Sequence, residues 1–175
     1  METIFMKLEL IKAPNDWLTK KMEPIDFDNP PYDLKELKTE MFRIMRANLG
    51  IGLSTNQVGV DGRVFVFYNN NSNNHMERDM MCINPEIVED KGEPVSMYEG
   101  CLSFPGVNIP VTRTNKIRLK WTTVSGKVIE EDFFGYDARC ILHEIDHLDG
   151  ITFDQHVAPM VWKEAVEKAE KEADA

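Results

Sequence analysis

The chain has 175 residues, of which 42% are hydrophobic, and this size and composition predict one globular domain, 1–175, with a single core. Its 30 acidic and 20 basic residues give a formal net charge of −10, which disfavours binding to the phosphates of nucleic acids. No apolar run approaches the ~20 residues of a membrane span, and residues 1–7 lack the apolar core of a signal peptide, so a cytoplasmic protein without membrane contact is expected.

The first predicted element is a helix over residues 34–49. Apolar side chains recur there at the spacing of one helical face: Leu34, Leu37, Met41, Ile44 and Met45. Asp33, with Glu36 three residues later, forms a capping pair, and Gly50 stands at the stop position. The helix is therefore predicted to bury one face and to end just before Gly50.

The middle of the chain predicts short β-strands. Segments rich in β-branched and aromatic side chains occur at residues 63–68, 117–123 and, more weakly, 81–88. Ser125 and Gly126 form the turn expected of a hairpin between residues 116–124 and 127–133. The asparagine-rich residues 69–74 predict a mobile polar loop.

A second helix is predicted over residues 137–148, followed by Gly150. Its broad apolar face comprises Ala138, Ile141, Leu142, Ile145 and Leu148. The tail from residue 160 predicts a third, charged helix at the periphery of the domain. The order of these elements indicates an α+β fold in which antiparallel β-strands pack around the second helix, with one helix near the N-terminal third and a short C-terminal helix.

The second predicted helix carries the sequence His143-Glu144-Ile145-Asp146-His147. Two imidazoles four residues apart lie about one helical turn from each other, so both can reach one metal ion. Glu144 between them can take a proton from a water molecule. This pattern favours a metal-dependent hydrolase, although a metal held by two side chains alone would bind weakly and a third ligand is required.

Two protease patterns offer a third ligand downstream. The metzincin spacing requires a histidine at the position of Phe153, and His156 is out of phase with it. The thermolysin-like spacing reaches Glu167, which lies in a repetitive charged stretch typical of a solvated helix face. Both zincin-type readings are therefore disfavoured.

Cys101 offers a third ligand upstream. It lies in residues 99–106, a segment bounded by glycine and proline, where its thiolate could complete a Cys-His-His set with one position open for water. A free cysteine is more often a small buried thiol, and Cys82 and Cys140 are expected to be that.

A third segment, residues 50–59, is rich in glycine. Glycines can end a helix or let the backbone approach a ligand closely. Gln57 is then a candidate hydrogen-bond donor to an oxyanion that develops during hydrolysis.

Together these three segments resemble the signature motifs of the peptide deformylases, in the family's order and with similar separations. Residues 50–57, Gly-Ile-Gly-Leu-Ser-Thr-Asn-Gln, are similar to G-x-G-L-A-A-x-Q, with Ser54 and Thr55 replacing the alanine pair. Residues 99–103 match E-G-C-L-S, and residues 143–150 match H-E-x-D-H-L-x-G. The resemblance covers residues 12–153, and the short tail is similar to that of smaller deformylases, including phage-encoded ones.

The resemblance implies a set of roles for residues of this chain. Metal ligands would be Cys101, His143 and His147, with Fe²⁺ favoured as the ion and Zn²⁺, Ni²⁺ or Co²⁺ possible. Glu144 would be the general base and acid, and Gln57 with the backbone N–H of Leu102 would donate to the oxyanion. Substrate contacts would come from Ile51, Gly52, Met97, Glu99, Gly100 and His143.

The implied reaction is removal of the N-formyl group from the initiator methionine of nascent peptides, with release of formate. The acidic tail argues against docking to the ribosome through a basic extension, so at most transient ribosome proximity is expected. A monomer is expected as well. The alternatives from other classes are a zincin-type metalloprotease, a cysteine hydrolase that uses Cys101 with His143, and a non-catalytic module that binds formyl peptides.

Overall fold

The strands form two antiparallel sheets within residues 6–70 and 78–175, the parts of the chain that this computed structural model describes. One sheet has the order β1-β2-β3-β6-β7, with strands Gly52–Ser54, Val64–Tyr68, Asp79–Asp90, Lys116–Thr122 and Val128–Phe134. The second sheet is the hairpin of β4 and β5, Pro94–Cys101 and Phe104–Thr114. Three α-helices accompany them: α1 Leu34–Ala47, α2 Gly135–Leu148 and α3 Pro159–Ala173. The predicted α+β class with antiparallel strands is confirmed.

The helix α1 begins at the predicted cap. Asp33 Oδ1 accepts hydrogen bonds from the backbone N–H groups of Lys35 and Glu36, both at 2.9 Å. The reciprocal half of the capping pair is absent, because the Glu36 carboxylate accepts the backbone N–H of Met6 instead. Leu34, Leu37, Met41, Ile44 and Met45 are all buried, so the predicted apolar face is confirmed.

The C-terminal end of α1 differs from the prediction. The helix ends at Ala47, and the residue in the left-handed conformation is Leu49, with φ 57°, rather than Gly50. The Gly50 N–H donates to the Met45 carbonyl at 2.8 Å, which closes the last turn. A Cβ at Gly50 would lie 2.5 Å from Leu102 Cδ1, at the flexible end of that side chain. The glycine therefore allows α1 to approach the segment that follows β4.

The predicted hairpin between β6 and β7 is confirmed, with Lys116 paired to Phe134 and Thr122 paired to Val128. The hairpin of β4 and β5 was not predicted from the sequence. It pairs Pro94 with Thr114 and continues to Cys101, where the register shifts next to Gly100. This hairpin brings Cys101 to the end of a strand beside α2.

Helix α2 packs its apolar face against the five-stranded sheet. Ala138, Ile141, Ile145 and Leu148 are buried in one cluster with Phe65, Phe67, Cys82, Trp121 and Phe133, and Leu142 packs at the edge of that cluster. Helix α3 packs on the second sheet, where a separate cluster comprises Val107, Ile109, Val111, Phe153 and Ala169, joined by Trp162, Ala165 and Val166. The two layers meet at α2.

Of the predicted loop 69–74, residues 71–74 lie outside the described residues. Among the helices that the structure describes, none combines the length and apolarity needed to cross a lipid bilayer.

Candidate active site

Three side chains from distant parts of the chain meet beside α2. Cys101 Sγ lies 3.3 Å from His147 Nε2, and His147 Nε2 lies 3.1 Å from His143 Nε2. The three ligand atoms all lie within 4.8 Å of one another. Atoms that share one ion at bond lengths of ~2.0 Å for nitrogen and ~2.3 Å for sulfur are separated by about 3–4 Å. This Cys-His-His group could therefore hold a metal ion.

The orientation of His143 is set by a carboxylate. Its Nδ1 lies 3.0 Å from Glu99 Oε1, so Nδ1–H donates to Glu99 and the lone pair of Nε2 faces the other two ligand atoms. Hydrogen bonding of the far ring nitrogen to a carboxylate is typical of metal-binding histidines. The carboxylate of Glu99 thus orients the His143 ring as a metal site would require.

Burial decides the protonation of the other two side chains. It lowers the pKa of His147 well below its usual value, with His143 and Arg113 adding to the effect, and a neutral imidazole is the form that binds a metal. Burial, with a smaller contribution from the Glu144 carboxylate, raises the pKa of the Cys101 thiol to about 12. The thiol therefore gives up its proton only when a cation replaces it.

Glu144 lies on the cavity side of α2, directly after His143. Its side chain is buried, and Oε2 has no hydrogen-bond partner among the described residues. Burial raises its pKa well above the usual value of a carboxyl group. A carboxyl in this state is suited to carrying a proton rather than a permanent charge.

Gln57 is held at both ends of its amide. Its Oε1 accepts the Ser54 backbone N–H at 3.1 Å, and its Nε2 donates to Ser103 Oγ at 3.1 Å and lies 3.6 Å from Cys101 Sγ. Ser103 Oγ in turn donates to the carbonyl of Ile11 at 2.7 Å. This arrangement presents the amide nitrogen to the Cys-His-His group.

The two hydroxyls that depart from the family motif bond locally. Thr55 Oγ1 donates to the carbonyl of Gly62 at 2.6 Å, and Ser54 Oγ lies 3.4 Å from Gln57 Oε1. Both residues are fully buried. They support the turn Thr55–Val58 that carries Gln57.

A buried ionic cluster, made of Glu99, Arg113, Arg139 and Asp146, lies behind His143. Glu99 accepts from Arg113 at 2.7 and 3.0 Å and from Arg139 at 2.5 Å, and Arg113 also donates to Asp146 at 2.8 Å. Burial alone would raise the pKa of Glu99, but hydrogen bonds from His143 and Arg113 outweigh it and lower that pKa to about 2. Glu99 is therefore a fixed negative charge.

The two arginines of this cluster were missed by sequence reasoning. Arg113 continues the alternation of Val107, Ile109 and Val111, whose side chains are buried in β5. A charged residue on the buried side of a strand requires a buried partner of opposite charge. That signal could have found Arg113, whereas Arg139 has no comparable signal along the chain.

A cavity of about 530 Å³ opens onto this group. Of the residues predicted to act there, its lining includes Ile51, Gly52, Gln57, Glu99, Gly100, Cys101, Leu102, His143 and Glu144. Met97 is not part of the lining and is 43% exposed. Arg139 lines the cavity instead and donates to the Val95 carbonyl at 2.6 Å, which covers the backbone of β4 near Met97.

The side chains considered for protease patterns lie elsewhere. His156 Nε2 is 2.7 Å from Asp146 Oδ2, and Glu167 is an exposed residue of α3 whose Oε1 lies 3.9 Å from Lys163 Nζ. Phe153 is buried with its ring 5.9 Å from that of His143. None of the three contributes an atom to the Cys-His-His group.

Comparison with known proteins agrees with the resemblance. Residues 7–162 match the family described as polypeptide deformylase. The peptide deformylase of Aquifex aeolicus is 34% identical over 166 residues, which cover 95% of this chain and 96% of that protein. The peptide deformylase of Erythrobacter litoralis is 32% identical in an alignment that covers 93% of this chain and 95% of that protein.

Solved structures show the same fold. A peptide deformylase from Synechococcus elongatus, solved in complex with actinonin, superposes with a TM-score of 0.83 at 28% identity and covers 93% of this chain and 88% of its own. One from Legionella pneumophila superposes with a TM-score of 0.81 at 32% identity, with 95% of each chain covered. Agreement in sequence and fold over nearly the whole length shows that the chain belongs to the polypeptide deformylase family, whose members are hydrolases that remove the N-formyl group from nascent peptides.

Proposed function

We propose that this chain hydrolyses the formamide bond at the initiator methionine of nascent peptides, with one divalent metal ion held by Cys101, His143 and His147. The observation that carries the proposal is that Glu144, Gln57 and two members of the Cys-His-His group, Cys101 and His143, line one cavity, with His147 directly behind them. Each part of an amide hydrolase is then present within one site.

The ion bound by these three side chains would supply a Lewis acid that lowers the pKa of water to near neutrality. A thiolate with two imidazoles accepts Fe²⁺, Zn²⁺, Ni²⁺ or Co²⁺, so the ligand set alone does not select the ion. The family resemblance favours Fe²⁺. Cys101 is the ligand that distinguishes this set from the three-histidine type, because a thiolate donates more charge.

Glu144 takes the proton of the attacking water and later returns it to the leaving nitrogen. Its raised pKa suits the second step, in which a carboxylic acid must donate. Gln57 Nε2 and the Leu102 N–H donate to the carbonyl oxygen as it becomes negative. Each such donor contributes roughly 3–4 kcal/mol in other hydrolases.

The cavity receives the substrate around Ile51, Gly52, Glu99 and Gly100, with Met97 kept as a more distant candidate contact. The formyl carbon carries only hydrogen, so a site closed by Gly52 and Glu144 can admit formyl and reject acetyl. The resulting partners are formyl-methionyl nascent peptides. We further propose that the chain acts as a monomer near the ribosome in the bacterial cytoplasm. It would be encoded by a bacterium or a phage.

The decisive experiment measures free amine released from a formyl-methionyl tripeptide by protein loaded anaerobically with Fe²⁺ or Ni²⁺. We expect turnover of this substrate, no turnover of its acetyl analogue, and loss of turnover in Glu144→Ala at unchanged metal content. Absence of turnover in metal-loaded protein would refute the proposed reaction and leave a peptide-binding module. Turnover that survives a chelator but not thiol alkylation would identify a cysteine hydrolase instead.

Cys101→Ser separates the proposal from a metalloprotease. A zincin takes no ligand from residue 101, so its metal affinity would survive the substitution. Here we expect Cys101→Ser to bind the metal more weakly and to lose turnover of the formyl peptide. Cleavage of internal peptide bonds by Cys101→Ser would support the protease alternative.

A further inference from the structure

Three aromatic rings form a triangle beside the proposed metal site. The aromatic triangle comprises Phe104, Phe153 and Trp162, with ring centroids 5.2 Å apart for the two phenylalanines and 5.4 Å apart for each contact with Trp162. Both contacts of the indole are edge-to-face, with interplanar angles of 85° and 83°. Edge-to-face packing is the favourable arrangement for aromatic rings, and it restricts how each ring can turn.

Two rings of the aromatic triangle, Phe153 and Phe104, lie next to residues that are proposed metal ligands. The ring of Phe153 lies 5.9 Å from the His143 imidazole at an interplanar angle of 63°. Phe104 pairs with Cys101 across the end of the hairpin of β4 and β5. A shift of either phenylalanine would therefore move a ring or a backbone segment next to the Cys-His-His group.

The His143 ring is held by one hydrogen bond and by packed rings. Its Nδ1 lies 3.0 Å from Glu99 Oε1, and the imidazole packs edge-to-face against His147 at 4.8 Å and against Phe153 at 5.9 Å. The hydrogen bond sets the position of one ring atom, and the packed rings limit the orientation of the imidazole plane. Phe153 in turn depends on Trp162, because the indole packs against it from α3.

We propose that Trp162 is a positioning residue of the metal centre, and this inference rests on the proposed function. Through Phe153 the indole restricts rotation of the His143 ring, and through Phe104 it restricts the turn that carries Cys101. Helix α3 is then a functional part of the site rather than a peripheral tail. Residues that hydrogen-bond directly to a metal ligand change metal affinity by 10–100-fold when they are lost. Trp162 acts one contact further out, so an effect of about 10-fold is expected.

The helix itself has other contacts that keep it in place. Ala165, Val166 and Ala169 pack on the same cluster as β5, and Ala169 lies against Gly106, where a Cβ would be 3.4 Å from the alanine Cβ. Substitution of Trp162 alone therefore leaves part of the docking surface of α3 intact. Val166 provides a matched control, because it belongs to the same packed cluster but is not part of the aromatic triangle.

The test compares Trp162→Leu, Trp162→Phe and Val166→Ala in the full chain after loading with Co²⁺. Leucine keeps apolar volume so that the variant folds, and phenylalanine keeps a ring that can pack on Phe153. The visible spectrum of Co²⁺ reports on the thiolate and imidazole ligands, and titration against a chelator gives the affinity. Thermal unfolding followed by circular dichroism reports separately on the fold.

We expect Trp162→Leu to bind Co²⁺ about 10-fold more weakly, with an altered spectrum, and Trp162→Phe to keep most of the affinity and the unaltered spectrum. Val166→Ala should lose thermal stability without a change in spectrum. An unchanged spectrum and affinity in Trp162→Leu would overturn the positioning role while leaving the proposed function intact. Absence of a thiolate–Co²⁺ band in the unsubstituted protein would overturn the metal centre itself, and the positioning role with it.

Discussion

Gly52 and Glu144 approach each other so closely that no side chain fits between them. A Cβ added to Gly52 would lie 2.6 Å from Glu144 Oε1 and 3.2 Å from Glu144 Cγ. The carboxyl is buried, with Oε2 lacking a hydrogen-bond partner among the described residues, so packing rather than hydrogen bonding holds that oxygen. Residues 50–57 and helix α2 are therefore packed so closely that a change in one alters the other.

Gly52→Ala should reduce kcat about 100-fold without loss of bound metal. The added methyl group displaces the Glu144 carboxyl by a fraction of its length, and a misplacement of ~1 Å costs about 10²-fold in rate. The measurement is kcat on a formyl-methionyl peptide together with metal content. Gly50→Ala is the control, because its Cβ would meet only the flexible end of Leu102, and equal losses in both variants would contradict the prediction.

Glu144→Gln should abolish turnover but stabilise the metal-free protein at pH 7. The pKa of this carboxyl is raised well above 4.5 in the folded state by burial, so the unfolded chain releases its proton first as the pH rises. Stability is therefore lost above about pH 4.5, and glutamine removes that loss. Chemical denaturation of both metal-free proteins from pH 5 to 8 checks this, and a stability difference that does not widen with pH would refute it.

Arg113→Met should lower the free energy of unfolding by about 3–5 kcal/mol, because it leaves buried Glu99 with fewer partners. The side chain of Arg113 is 5% exposed, and it bonds to both Glu99 and Asp146. Arg118→Met is the matched control, since Arg118 also pairs with two acids but is 32% exposed, and it should cost about 0–1 kcal/mol. Urea denaturation of both variants measures the loss in free energy of unfolding. Equal losses would show that the buried ionic cluster contributes no more to stability than the exposed ion pairs of Arg118.

Tyr32→Phe should be less stable than the unsubstituted protein at pH 8, and this difference in the free energy of unfolding should shrink as the pH rises. The Tyr32 hydroxyl donates to the Asp61 carbonyl at 2.9 Å, so its removal costs about 1 kcal/mol at pH 8. Burial, with the Asp61 carboxylate, raises the pKa of Tyr32 from 10.0 to about 12. Between pH 10 and about pH 12 the tyrosine ionises in the unfolded chain but not in the folded one, so the unsubstituted protein loses stability as the pH rises. Urea denaturation midpoints of both proteins from pH 8 to 11 measure the difference in stability. A difference that stays constant over this range would contradict the raised pKa of Tyr32.

Local patterns along the chain were sufficient for several elements. The face from Leu34 to Met45 predicts α1, and Ser125 with Gly126 predicts the turn between β6 and β7, where Gly126 has φ 87°. The spacing of His143 and His147 predicts two ligands on α2. In each case the determining contacts lie within a few residues of one another.

Other features depend on contacts between distant segments and have no local signal. Pro105 and Pro110 obscure the alternation of buried residues in β5, so its hairpin with β4 was not predicted. Leu49, rather than Gly50, adopts the left-handed conformation after α1, and the local sequence favours the glycine for that position. The meeting of Glu99 with Arg139, 40 residues apart in the chain, follows only from the completed fold.

The buried ionic cluster joins β4, which ends at Cys101, to α2 through protein side chains alone. Strand and helix are therefore clamped to each other whether or not an ion lies between Cys101 and the two histidines. The proposed ion would therefore not be what joins the strand to the helix, and its removal would leave this connection in place.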